Sequence, residues 1–236
     1  MKMKIGAIVQ ARMSSQRLPN KVLLEADGKP LLQYSLERLE HCDYLDNIVV
    51  ATSIDDSDTP IADYCRQNSV ACYRGPLSNV AGRFKEVLNL YQFDVFVRVN
   101  GDSPLLDQRI IEKGIDIFLN GDYDLVTNIF PRSYPKGQST EILRVFTYRK
   151  ACDRMRAEDD LEHLTRYYYN HPEEFRIQNF ALTENLSHIQ LSVDTWQDMD
   201  NFVTIVSKMI RPHWEYTLED ILQIYRSLAL SRIERL

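Results

Sequence analysis

The sequence predicts an α/β fold: a mostly parallel sheet covered by helices on both faces. Three observations carry this. Apolar runs of strand length alternate with amphipathic stretches through the first half of the 236-residue chain, the pattern of repeated βαβ units. Runs such as Ile5-Gly6-Ala7-Ile8-Val9 and Asn47-Ile48-Val49-Val50-Ala51-Thr52 are near-continuous rather than alternating, as strands covered on both sides require. Each run ends in a polar loop, and right-handed crossovers then gather those loops along one edge of the sheet.

The elements follow in order. The first strand is predicted at residues 4–10. Gly28-Lys29-Pro30 forms a turn, and Leu31, Leu32, Leu36 and Leu39 then have helical spacing. A second strand at 47–52 leads through Ser53-Ile54-Asp55-Asp56-Ser57-Asp58 to Pro60, a favoured first-turn residue, and a helix to about residue 67. A short strand at 70–73 precedes a helix at 80–91. A fourth strand at 94–99 ends in Asn100-Gly101-Asp102-Ser103-Pro104. The second half is less regular: a helix at 108–119, a strand at 123–128, a loop at 132–138 and a strand at 140–146. Helices at 148–157 and 161–170, strands at 176–181 and 190–193, and helices at 197–209 and 218–227 complete it. No linker, repeat or low-complexity stretch divides the chain. The expectation is one domain over residues 1–236, helical at its C-terminal end from about residue 197.

Composition bounds the function. The 28 Lys and Arg are outnumbered by 34 Asp and Glu, so the net charge is −6. The protein-wide basic field of a nucleic-acid binder is absent, whereas a local basic pocket remains compatible with that total. Cys42, Cys65, Cys72 and Cys152 are widely spaced, without Cys-x-x-Cys or zinc-ligand spacing, and read as reduced thiols. No apolar run approaches the ~18 residues of a membrane span. Met1-Lys2-Met3-Lys4 and the apolar run after it have the start of a secretory signal, but Gln10 interrupts the run and no small-residue cleavage site follows. A cytoplasmic protein is expected.

The segment Arg12-Met13-Ser14-Ser15-Gln16-Arg17-Leu18-Pro19-Asn20-Lys21 follows directly on the first strand. Open α/β sheets bind ligands beyond the carboxyl ends of their strands. Three cations there can wrap a phosphate chain, Arg with a planar fork and Lys with a point charge. A solvated basic loop is the plainer alternative. No Gly-x-Gly-x-x-Gly follows the first strand and no Walker loop exists, so a phosphate site must rely on side chains more than on a glycine cradle. Asp102 sits past a strand, behind a glycine that permits close approach. It suits Mg²⁺, which takes one or two carboxylates plus phosphate oxygens, or else a turn cap. Asp194 also follows a strand and pairs naturally with Asp102 as a metal ligand; a helix N-cap is its alternative, and Asp198 and Asp200 read as solvated. His163 falls in a helix, where a structural role is the commoner one. Gly137-Gln138-Ser139-Thr140-Glu141 brings polar side chains into a strand. Arg74 and Arg83 add cations near the third strand, or simply surface charge. Asp55, Asp56 and Asp58 are explained by helix capping.

Taken together, Ala7-Ile8-Val9-Gln10-Ala11-Arg12-Met13-Ser14-Ser15-Gln16-Arg17-Leu18-Pro19-Asn20-Lys21-Val22-Leu23 resembles the opening motif of the cytidylyltransferases that make CMP-activated sugar acids, most of all the spore-coat polysaccharide type. CMP-3-deoxy-manno-octulosonate and CMP-N-acetylneuraminate synthetases are more distant. The similarity continues through Gly28-Lys29-Pro30-Leu31-Leu32, Ile48-Val49-Val50-Ala51-Thr52-Ser53, Tyr73-Arg74-Gly75, Arg98-Val99-Asn100-Gly101-Asp102-Ser103-Pro104-Leu105-Leu106-Asp107, Glu162-His163-Leu164-Thr165 and Leu191-Ser192-Val193-Asp194-Thr195-Trp196-Gln197-Asp198, covering about residues 4–205.

The resemblance implies a Rossmann-like sheet of the nucleotide-diphospho-sugar transferase, or glycosyltransferase-A, type. It implies CTP and Mg²⁺, a sugar acid or related acceptor that attacks through a hydroxyl or a phosphate monoester, and pyrophosphate release, in polysaccharide or surface-glycan biosynthesis, and it is compatible with a homodimer. By the resemblance Arg12, Lys21 and Asp102 are catalytic. Ala11, Arg12, Ser15, Arg17, Lys21, Ala51, Thr52, Ser53, Arg74, Asn100 and Asp102 contact the nucleotide. Asp102 and Asp194 hold the metal, and Gln138, Glu141 and His163 face the acceptor. Three places depart from the family pattern. Asn20 stands where Gly is usual, and Asn tolerates the left-handed conformation. Gln16 replaces Thr. Asn79-Val80-Ala81-Gly82-Arg83-Phe84 replaces Asp-Val-Leu-Asp-Arg-Tyr, with the loss of two carboxylates. The alternatives are a glycosyltransferase of the same architecture, which would use a nucleotide-sugar donor and usually an Asp-x-Asp motif, and a non-catalytic nucleotide-binding relative.

Overall fold

The computed structural model describes residues 2–233; residues 234–236 of the expected helical C-terminal end lie outside the described residues. In chain order the elements are β1 (Ile5–Gln10), β2 (Glu25–Ala26), β3 (Lys29–Pro30), α1 (Leu31–Glu40), β4 (Asn47–Ser53), α2 (Thr59–Gln67), β5 (Ala71–Gly75), α3 (Val80–Tyr91) and β6 (Val95–Asn100). The second half adds α4 (Gln108–Leu119), β7 (Leu125–Thr127), β8 (Glu141–Arg144), α5 (Val145–Cys152), α6 (Glu158–Glu162), α7 (Arg166–Asn170), β9 (Ile177–Asn179), α8 (Trp196–Val206) and α9 (Leu218–Ile233). Seven strands form one sheet in the order β5-β4-β1-β6-β8-β7-β9. All neighbours are parallel except β8, which runs against both β6 and β7. Among the described residues no helix is long and apolar enough to cross a membrane.

Each face of the sheet carries its own core. Val9, Val97 and Val99 pack with Leu31 and Leu36 of α1, Ile61 of α2, Ile111 and Ile115 of α4 and Phe202 of α8. Ile8, Val49, Phe96, Leu125 and Leu143 pack with Phe84 and Val87 of α3, Tyr148 of α5 and Tyr168 of α7. Side chains alternate across a strand, so Gln10 shares the face of Ile8, Arg98 and Asn100 that of Phe96, and Glu141 that of Leu143. That second face is therefore apolar under α3 and α5 and turns polar toward the carboxyl ends of β1 and β6. The polar end is where the cavity lies.

The helices in the first half match the periodicity closely. The second half differs from expectation in three ways. The helix expected at 161–170 is two short helices, and His163 sits at the break, outside helical geometry (φ −115°, ψ 65°). The break lets Leu164 drop fully into the second core. The expected strand at 190–193 is extended chain joined to the loop at Lys136 by an isolated bridge to Gln190. The strand expected at 140–146 stops at Arg144, because the Val145 N–H turns to the Asp94 carbonyl (3.0 Å) and α5 begins there rather than at residue 148.

Candidate active site

The loop after β1 is pegged by apolar side chains. Met13, Leu18 and Val22 are buried in the core, which leaves the polar residues between them facing outward. The loop closes on itself when Ser15 N–H (2.8 Å) and Asn20 N–H (3.1 Å) both donate to the Met13 carbonyl. Asn20 adopts the left-handed conformation (φ 59°), which Asn tolerates better than most residues. Asp58 fixes the loop from below. It is fully buried, accepts from Met13 N–H (2.6 Å), and accepts from the Ser53 N–H and hydroxyl. Of the three acids assigned to capping, Asp55 does cap, accepting from Ser57 N–H (2.9 Å), while Asp58 ties β4 to the β1 loop.

Loop and sheet edge enclose a cavity of about 600 Å³, within the usual range for small-molecule sites. Arg12, Ser15, Arg17 and Lys21 of the loop line it, with Arg98, Asn100 and Asp102 of β6 and its end, and Glu162, His163 and Asp194. Three of its cations face acids from other elements. Arg12 pairs with Glu162 (2.6 Å), Arg17 with Asp194 (3.2 Å), and the Lys21 ammonium lies 2.6 Å from Asp102 Oδ2 and 2.9 Å from Asp194 Oδ1. Burial works against the Lys21 charge, but Asp102 and Asp194 outweigh it and hold the ammonium above its ordinary pKa. Asp194 shifts the other way: despite burial, the hydrogen bond and charge of Lys21, helped by Arg17, hold its carboxyl below the usual value.

The backbone brings Asp102 and Asp194 together. Gly101 packs so closely on β1 that a Cβ would lie 3.2 Å from the Gln10 carbonyl, and its N–H donates to that oxygen (2.9 Å). Gly137, at φ +93°, admits the 190–192 segment where a Cβ would meet Ser192 N at 2.5 Å. Val193 N–H then donates to the Asp102 carbonyl (2.9 Å), joining the two acid-bearing loops. Beyond Asp194, Thr195 and Asp198 form a capping box on α8; Asp198, read as solvated, is thus structural.

A second cluster lies deeper. Arg98 donates to Glu141 Oε2 (2.6 Å), and the Tyr169 hydroxyl donates to Glu141 Oε1 (2.7 Å). Burial, with the Glu141 charge adding to it, pushes the Tyr169 phenol well above its ordinary pKa, so it stays a donor.

Several expected site residues are placed elsewhere. Ala51, Thr52 and Ser53 are fully buried at the end of β4 and do not line the cavity. Ala11 is buried as well, its N–H on the Ala51 carbonyl. Arg74 is spent on the Ser53 and Asp55 carbonyls and the Thr59 hydroxyl. Gln138 is fully buried and faces no acceptor space: its amide donates to the Leu105 carbonyl and accepts from Asp107 N–H. Glu141 is covered by Arg98, which is the group that reaches the cavity. Arg83, expected as a cation near the third strand or else as surface charge, is fully buried against Gly75, with Nη1 on the Pro76 carbonyl and Nε and Nη2 without hydrogen-bond partners. Asn79 caps α3 by accepting from Gly82 N–H (2.7 Å), and a Cβ on Gly82 would meet the Asn79 side chain at 2.6–2.9 Å. Arg98 and Glu162 had no role in the sequence reading. The parity of Arg98 with Asn100 on one strand was a usable signal for it; Glu162 offered none.

The cytidylyltransferase family matches residues 6–233. The chain is 29% identical over 210 residues to the spore coat polysaccharide biosynthesis protein SpsF of Bacillus subtilis, covering 85% of each. It is 31% identical over 116 residues to a 3-deoxy-manno-octulosonate cytidylyltransferase of Pelobacter propionicus, covering 48% of this chain and 44% of that one. A solved cytidylyltransferase from Leptospira borgpetersenii superposes with a TM-score of 0.91 at 28% identity, over 97% of this chain and 96% of its own.

Proposed function

The chain belongs to the cytidylyltransferase family, and we propose that it transfers CMP from CTP to a sugar acid, releasing pyrophosphate, in the biosynthesis of a polysaccharide or surface glycan. The observation that carries this reading is the cavity at the end of β1, where Arg12, Arg17 and Lys21 converge beside two carboxylates, Asp102 past the end of β6 and Asp194 just before α8. The names of two relatives, one in spore-coat polysaccharide biosynthesis and one acting on 3-deoxy-manno-octulosonate, support the acceptor class.

In this reading the acceptor hydroxyl attacks the α-phosphorus and pyrophosphate leaves. Such a transfer depends on positioning and charge neutralisation rather than on a covalent nucleophile. Arg12, Arg17 and Lys21 hold the triphosphate and neutralise the leaving pyrophosphate. Ser15 and Asn100 border it. Arg98 and His163 face the acceptor, Arg98 offering its acid group a guanidinium already held rigid by Glu141. Asp102 and Asp194 suit a Mg²⁺ ion: a cation, the Lys21 ammonium, already stands between them, and two carboxylates completed by phosphate oxygens and water make a normal magnesium donor set. When bound, the metal supplies polarisation of the α-phosphate.

Nucleotide titration tests the reading: CTP, UTP, ATP and GTP, each with and without Mg²⁺, on the native protein and on Asp102→Ala, followed by a pyrophosphate-release screen over sugar acids. Selective, metal-dependent CTP binding that weakens in the variant and turnover with an acid acceptor are expected. Binding of another nucleotide in preference to CTP overturns the substrate, and sugar transfer from a nucleotide sugar without pyrophosphate overturns the reaction.

A further inference from the structure

We propose that Lys21 is an internal counter-ion for the metal position, and that the metal and the nucleotide bind cooperatively because each frees the partner the other needs. The proposal rests on the reading of the cavity as a metal–triphosphate site. Its geometry is specific. Asp102 Oδ2 and Asp194 Oδ1 converge on one point, and the Lys21 ammonium stands at that point, 2.6 and 2.9 Å from them. Magnesium and ammonium compete for such a pair of oxygens, the metal lying closer, at about 2.0–2.1 Å.

The segments that carry the two carboxylates are joined by bonds that do not involve Lys21. The Val193 N–H bond to the Asp102 carbonyl and the capping box on α8 hold the two acid-bearing segments, and Gln190 donates to the other oxygen of Asp194 (3.3 Å). Two carboxylates held this close repel unless a cation lies between them. In the free protein Lys21 fills that position, and Arg17, on Asp194 Oδ1, completes the neutralisation. The two acids and two cations then balance, so a divalent ion entering alone must displace an ammonium and leave the site with excess positive charge. A triphosphate draws Lys21 and Arg17 away, which uncovers the acids and makes the same position attractive to the metal. The exchange is reciprocal, as any coupling between two binding events must be.

Manganese binding to the nucleotide-free protein tests this directly, read as loss of the free Mn²⁺ paramagnetic signal. Lys21→Met and Lys21→Gln are both measured, with thermal melts to verify folding. Removing the resident charge is expected to tighten Mn²⁺ binding roughly tenfold or more, since opposite and like charges within 4 Å interact by several kcal/mol at the effective dielectric of a protein surface. Lys21→Arg keeps the charge and is expected to leave Mn²⁺ affinity near that of the native protein. Adding Asp194→Asn to Lys21→Met is expected to abolish the gain. Calorimetry on the native protein is expected to show CTP and Mn²⁺ each tightening the other, and less so in Lys21→Met. Unchanged or weaker Mn²⁺ binding in both neutral variants overturns the exchange, whatever the native protein does with CTP. Tighter Mn²⁺ binding in them, together with no CTP binding by the native protein, upholds Lys21 as the counter-ion of the metal position and overturns the coupling to nucleotide along with the nucleotide reading.

Discussion

Two ion-pair clusters border the same cavity and are built for different tasks. Lys21, Asp102 and Asp194 are held on loops, and both acids keep 26% of their side-chain surface exposed. Arg98 and Glu141 stand on adjacent strands in register, Glu141 is 1% exposed, and its second oxygen is taken by Tyr169. The loop cluster can trade partners with an incoming ligand because water reaches its acids. The strand cluster cannot, because uncovering Glu141 means opening the sheet face. One region supplies exchangeable charge, and the other supplies a cation locked in direction.

The largest way to break that contrast is Glu141→Gln. It leaves the Arg98 charge in a largely buried position without its counter-ion, and one-sided removal of a buried pair costs about 3–5 kcal/mol of stability. Asp194→Asn is expected to cost no more than about 1 kcal/mol, as for partly exposed pairs. Urea unfolding of both variants checks the difference, and equal losses would refute the division into fixed and exchangeable clusters. Arg12→Ala carries the next effect. Losing one preorganised cation from the transition state typically costs ~3 kcal/mol of barrier, about a hundredfold in kcat. Stability should fall by no more than about 1 kcal/mol, since the Arg12–Glu162 pair is partly exposed. An unchanged kcat removes Arg12 from the catalytic group.

The same contrast explains what could be read from the sequence. Loops that follow strands announce themselves: the basic run from Arg12 to Lys21 after β1 and the turn at Asn100-Gly101-Asp102 after β6 were legible, and the structure brings them to one cavity with Asp194, although the strand expected before Asp194 does not form. Buried charge was not legible. Asp55, Asp56 and Asp58 look alike in sequence, yet two are exposed and Asp58 is a fully buried strut. Gln138 and Glu141 follow a glycine turn and look like a polar lip, but which residue of an extended segment faces a cavity depends on what packs on the other side. Arg83 could pass for surface charge because nothing local reports that its side of α3 packs on Gly75 at the end of β5. The second half of the fold was harder for a related reason: the chain between 157 and 195 is shaped by single buried anchors such as Leu164 and by the bridge at Gln190, not by periodicity.

Acid offers a way to separate fold from site. Outside the cavity, His213 is buried against α1, with Nε2 2.7 Å from Glu37. Burial pushes its pKa from 6.5 down to about 4, with the Arg38 and Lys29 charges adding to this and Glu37 opposing it. The unfolded chain therefore binds a proton at this residue near pH 6.5, whereas the folded protein resists it until about pH 4. Stability is complete above that window and falls as the pH drops through it, by on the order of 2–3 kcal/mol. Asp194, despite burial, is held below its ordinary pKa by the hydrogen bond and charge of Lys21, so it gives up its charge later in an acid titration than an ordinary carboxylate. Thermal melts across pH 6.5 to 4 are thus expected to fall in the native protein and to flatten in His213→Gln. A slope that persists in the variant assigns the acid sensitivity to other groups.

The smallest effect sharpens the loop side of the comparison. Asn20 holds a left-handed turn directly before Lys21, a conformation that costs an ordinary residue roughly 1–2 kcal/mol and that Asn and Gly visit more readily. Asn20→Ala is expected to lose about 1 kcal/mol of stability, whereas Asn20→Gly is expected to stay within about 0.5 kcal/mol, the relief of the turn being offset by the greater freedom of the unfolded chain. Because the side chain of Asn20 makes no capping hydrogen bond, Asn20→Gly should also leave the Lys21 position intact and nucleotide affinity unchanged. If Asn20→Gly weakens nucleotide binding while its melting temperature holds, Asn20 contributes through its amide and not through its backbone, and the loop is tuned to its ligand at one more residue than its ion pairs reveal.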